Sequence, residues 1–80
     1  MPAPSTFYFT SHGTQRAGQR AISVEQFKTC VIYPEAKRQV RRGTHGGFVY
    51  HFTKEIETKR LHVFAELLKD SCWIVTGYWE

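Results

Sequence analysis

His12, Arg16 and Arg20 follow one another at intervals of four, so on a helix they form one continuous stripe. Two guanidiniums on one face can grip a phosphate bidentately, and a histidine one turn away titrates near neutral pH, as general acid–base work requires. The same pattern also reads as a solvated basic stripe, since surface helices are commonly charged. Lys37, Arg38, Arg41 and Arg42 form a second basic cluster. Strand alternation places Lys37 and Arg41 on one side and Arg38 and Arg42 on the other, so at most half of them line one groove. Cations on an edge strand also guard against aggregation.

Tyr50, His51, Phe52, Tyr78 and Trp79 combine stacking surface with polar tips. Rings beside cations suit single-stranded RNA, whose bases stack on them, although small β-rich domains also fill their cores with aromatics. Tyr78 shares its parity with Ile74 and Thr76, which separates it from Trp73, Val75 and Trp79. His51 and His62 are rivals to His12 as an acid or base. Catalysis is thus expected from His12, Arg16, Arg20 and Tyr78, and nucleic-acid contact from Arg16, Arg20, Lys37, Arg41 and His51.

Other chemistries lack their residues. No paired carboxylates lie close together, no Ser-His-Asp or Cys-His arrangement is indicated, and no phosphate-cradling glycine loop follows a strand. The four histidines and the isolated Cys30 and Cys72 lack metal-ligand spacing, so neither metal nor other cofactor is expected, and the cysteines read as reduced, buried thiols. Residues 1–54 hold eight Lys/Arg against two acids, a balance of +6, and residues 55–80 hold three against five, a balance of −2. A basic front of this kind offers a face to a polyanion. With no apolar run of membrane-spanning length and no signal-peptide pattern at Met1, the expected setting is cytoplasmic, away from membranes.

Eighty residues with 41% hydrophobic content give one domain, expected over 6–80 behind a disordered tail at 1–5. Thr6 to Thr10 is rich in aromatic and β-branched residues and reads as a strand. Ser11 can cap a short helix over 12–20. Ser23 with Gln26 makes a capping box, and Ile22 with Phe27 a hydrophobic staple, so a second helix starts there. Its apolar face is expected to carry Val24, Phe27 and Val31, and Pro34 ends it near Ile32. From Ala36 the period becomes two: an edge strand over 36–42, a glycine turn, a strand over 48–53, a charged loop over 54–59, a strand over 60–68 and a last one over 72–79. The expected fold is α+β, two N-terminal helices packed on one face of an antiparallel sheet in the order β-α-α-β-β-β-β.

The run from His12 through Arg16 and Arg20 to Ile22-Ser23, then Pro34, Leu61-His62-Val63 and Ile74 to Trp79, resembles the small bacterial family labelled domain of unknown function 4258. That resemblance implies a distant kinship with the RelE/ParE/BrnT group of toxins, a RelE-like fold, and cleavage of messenger RNA without metal. Carried over residue by residue, it covers His12, Arg16, Arg20, Thr76 and Tyr78. The function so implied is a toxin-like endoribonuclease acting on RNA or ribosome-bound mRNA and paired with a small antitoxin. The alternative is a non-enzymatic interaction or inhibitor module of phage or mobile-element origin, acting on a protein partner through an open sheet face.

Overall fold

The computed structural model describes residues 4–10 and 21–80. Its elements are β1 (Thr6–Phe9), α1 (Val24–Ile32), β2 (Ala36–Arg42), β3 (Phe48–Ile56), β4 (Lys59–Leu68) and β5 (Ser71–Trp79). The strands form one sheet in the order β1-β5-β4-β3-β2. Turns of few residues join β2 through β5, so these neighbours are antiparallel, as short connections require. β1 reaches the sheet without a hairpin and pairs parallel to β5, with Thr6 opposite Ser71 and Phe9 opposite Ile74.

This overturns the expected RelE-like layer of two helices on an antiparallel sheet. Among the described residues there is one nine-residue helix on a mixed, five-stranded, mostly β domain. The turns that set the direction of β2 to β5 say nothing of β1, whose direction is set by where Phe7 and Phe9 reach the core. The expected helix over 12–20, with His12, Arg16 and Arg20, lies outside the described residues.

α1 begins as its cap dictates. The Gln26 N–H donates to Ser23 Oγ at 3.1 Å, and the Ser23 N–H donates to Gln26 Oε1 at 2.9 Å. These reciprocal bonds satisfy two orphan donors at the helix start. The buried face is Phe27, Cys30 and Val31, whereas Val24, expected inward, is 50% exposed. Phe27 presses on β5 where Gly77 lacks a side chain; a Cβ there would lie 2.6 Å from the Phe27 ring. Ile22, Phe52, Leu61, Val63, Ala65, Cys72 and Ile74 complete the core between α1 and the sheet. Cys30 and Cys72 are free thiols whose pKa burial pushes up to about 12, so they pack as small protonated groups.

The charged stretch expected as a loop over 54–59 instead extends both strands. Ile56 pairs with Lys59, leaving the two-residue turn Glu57-Thr58. Glu57 takes a φ of 61°, a left-handed conformation that costs a side-chain-bearing residue about 1–2 kcal/mol. Glycine removes that cost but loses more backbone freedom on folding, so Glu57→Gly should gain a net of about 0.5–1 kcal/mol. In thermal melts the midpoint should rise by roughly 2–8 °C; an unchanged or lower midpoint would show that the turn is not strained.

Candidate functional site

Leu61, Val63 and Ala65 point into the core, so the alternate residues of β4 stand on the sheet face away from α1. The registers place Thr53, His62 and Tyr78 side by side in one row of that face, and His51, Phe64 and Thr76 in the next. Below these rows β5 carries a bulge: Phe64 is opposite Thr76, but Ala65 is opposite Ile74, and Val75 is the extra residue. The Thr10 hydroxyl, 3.1 Å from the Ile74 carbonyl and 3.3 Å from that of Val75, donates at this bulge. The extra residue reverses the facing of everything beyond it. Ile74 is therefore buried in the core, while Thr76 and Tyr78, of the same parity, lie on the other face with Trp73.

Four rings stack in sequence across this face. Phe64 lies 4.5 Å from His51, His51 lies 5.0 Å from His62, and His62 lies 4.7 Å from Tyr78, with near-parallel planes throughout. Polar contacts run along the same line. His51 Nε2 is 2.8 Å from His62 Nδ1, and His62 Nε2 is 2.6 Å from Glu80 Oε1. The His62 hydrogen bond, aided by its charge and that of Arg60, holds the Glu80 carboxyl below its ordinary pKa. An ionised Glu80 accepts, so His62 Nε2 carries a proton. In the arrangement where the His51 Nε2–H donates to His62 Nδ1, the lone pair of His51 lies at Nδ1. Burial, then the neighbouring His62 and Arg38, lower the His51 pKa below 6.5 and keep it neutral at pH 7.

Cations flank the relay. Arg38 pairs with His51 across β2 and β3, and Arg41 pairs with Val49, two positions along the same face. A register shift between Gln39 and Arg41 puts Val40 in a second bulge, which breaks the expected grouping of Lys37 with Arg41. Lys37 is opposite Phe52 on the α1 side, its ammonium 4.7 Å from the Tyr50 ring centroid and 5.7 Å from that of Phe52. Arg42, over Phe48, lies on that side too. Arg38, Arg41, His51, His62 and Tyr78 thus share one face, and Lys37 does not.

The far end of the face is closed by the β2–β3 loop. Glu66, only 1% exposed, accepts from the Gly47 N–H at 2.8 Å and from the His45 N–H at 2.8 Å, and its other oxygen is 3.0 Å from His45 Nδ1. Burial alone would raise its pKa, but these bonds outweigh it and hold the carboxyl below the ordinary value. A side chain on Gly43 would occupy the place of the Glu66 carboxylate. His45 in turn stacks on Trp73 at 3.9 Å, and Tyr8 stacks on Trp73 at 4.4 Å.

Three participants escaped the sequence analysis. Unbroken alternation groups Arg38 with Arg42 and apart from Arg41, and the bulge at Val40 instead sets Arg38 and Arg41 on one face. Glu80 carries a usable signal, two residues beyond Tyr78 and so on the same face of one strand. Glu66 reads as an ordinary outward strand residue, and only the glycines of the preceding turn hint that something must fit beneath it. Among the described residues no group of His, Cys, Asp or Glu has a metal-binding arrangement, and no helix is long and apolar enough to cross a membrane.

A family model described as "Domain of unknown function (DUF4258)" matches residues 9–79. No curated protein and no solved structure matches the chain.

Proposed function

The chain belongs to the DUF4258 family, and from the chemistry of its own open face we propose that it binds single-stranded RNA and cleaves it by transesterification, as a toxin-like endoribonuclease. The observation that carries this reading is the relay from His51 through His62 to Glu80, flanked by Arg38 and Arg41. His51 Nδ1 takes the proton of a ribose 2′-hydroxyl, whose oxygen bonds to the adjacent phosphorus while the P–O5′ bond breaks, the leaving 5′-oxygen taking a proton from solvent water. The new proton on His51 drives its Nε2 proton toward His62 Nδ1, and the imidazolium comes to rest beside the Glu80 carboxylate. His51 supplies the base, while His62 and Glu80 are positioning residues that fix its tautomer and hold the charge. Arg38 and Arg41 supply fixed positive charge where the phosphorane gains negative charge.

The nucleophile belongs to the substrate, so cleavage should persist in EDTA and leave 2′,3′-cyclic phosphate ends. Substrates are messenger RNA, free or on the ribosome, and expression of the domain alone should arrest growth. An antitoxin-like partner would then hold it in check. Wild-type protein that cuts neither free nor ribosome-bound RNA would end the enzymatic reading.

Binding has its own test. The double variant Arg38→Ala/Arg41→Ala should fold normally and bind single-stranded RNA with a log–log salt slope shallower by about 1–2. An unchanged slope in the folded variant would place the phosphates elsewhere.

A further inference from the structure

β2 is the outermost strand beyond β3, and all seven of its residues are exposed. Among the described residues no strand pairs with its outer edge. β1, at the opposite edge, offers only four residues. A long open edge presents a row of backbone donors and acceptors that an incoming strand can complete. Four of the seven residues are cations, Lys37 and Arg42 on the α1 side and Arg38 and Arg41 on the relay side. That distribution selects the occupant. A second copy pairing β2 to β2 would set lysine and arginine against arginine, and like charges directly opposite are destabilising. A polynucleotide can use the cations of one face, but not both faces together with the strand edge. An extended acidic peptide satisfies all three features, because its alternate side chains reach both faces while its backbone continues the sheet.

We propose that β2 is a docking edge for an acidic, extended segment of a partner protein, which adds to the sheet as a sixth strand. Such a segment would set carboxylates against Arg38 and Arg41, so bound partner and bound RNA exclude one another. The exclusion rests on the RNA reading; the docking does not.

The test uses a twelve-residue peptide repeating Glu-Glu-Val-Val, which as a strand carries carboxylates on both faces, with the peptide repeating Lys-Lys-Val-Val as control. The acidic peptide should bind with an affinity that falls as salt rises, and should slow hydrogen exchange at the amides of 36–42. The lysine peptide should do neither. Lys37→Glu/Arg42→Glu changes only cations on the side away from the relay, so it should weaken acidic-peptide binding at least tenfold while leaving the cleavage rate at saturating RNA unchanged. A melting curve confirms its fold. Absence of binding at millimolar peptide, protection elsewhere in the chain, or undiminished binding by the double variant would overturn the proposal. So would protection of the same amides by self-association or by RNA alone. Peptide docking without any RNA cleavage would remove the ribonuclease reading and leave the edge intact.

Discussion

His51→Ala should lose about 10²–10⁴-fold in the rate of RNA cleavage while keeping its melting temperature and most of its RNA affinity. Affinity survives because Arg38 and Arg41 remain on the face, and rate is lost because the base itself is removed. His62→Ala and Glu80→Gln should be milder, since the base remains but its tautomer and charge acceptor are lost. The pH profile separates these roles. Burial, then the neighbouring His62 and Arg38, lower the His51 pKa, so the acid limb of the wild-type rate should lie below 6.5. Arg38→Ala removes a nearby positive charge and should move the limb to higher pH. Rates for His51→Ala equal to wild type, with His12→Ala inactive, would return the chemistry to the stripe at 12–20.

The second large effect concerns stability. Glu66→Gln should cost about 1.5–3 kcal/mol, because an amide replaces a charged acceptor facing the Gly47 and His45 N–H groups. A hydrogen-bonded carboxylate with a depressed folded-state pKa also makes stability depend on acid. At pH values above the unfolded carboxyl pKa of about 4.3 its contribution is fully present, and it is lost as pH falls through the lower folded value. The wild type should therefore lose stability below about pH 4, and Glu66→Gln should lose correspondingly less over the same range. Chemical denaturation at pH 7 and pH 3 measures both. Parallel losses in the two proteins would show that Glu66 is not the group being titrated.

Local signals were legible where one or two residues decide the outcome. Ser23 with Gln26 locates the start of α1, and the polar run at 36–42 marks the edge strand. What eluded the sequence was facing. One extra residue at Val75 and another at Val40 each invert a strand's alternation, and a bulge has no compositional signature in valine. Lys37 was therefore grouped with Arg41, and Ile74 with Tyr78. The relay depends on register across two hairpins, so neither the His51–His62 contact nor the link to Glu80 follows from spacing along the chain. β1 reads as a strand from its composition, but its parallel partner is fixed by long-range contacts, among them the packing of Phe7 and Phe9 and the Tyr8–Trp73 stack.

That parallel pairing has a consequence for how the molecule is assembled in time. β2 to β5 are joined by local turns and can zip together in succession, each closure costing little chain entropy. β1 must instead find β5 across a separation of 65 residues, as the bond from Ser5 to Asp70 shows. Until β5 is in place, the free edge of the growing meander has nothing to offer Phe7 and Phe9, so β1 locks last although it is made first. The rate-limiting event should be this closure. Substitutions at Phe7 or Phe9 should then speed unfolding far less than they slow folding.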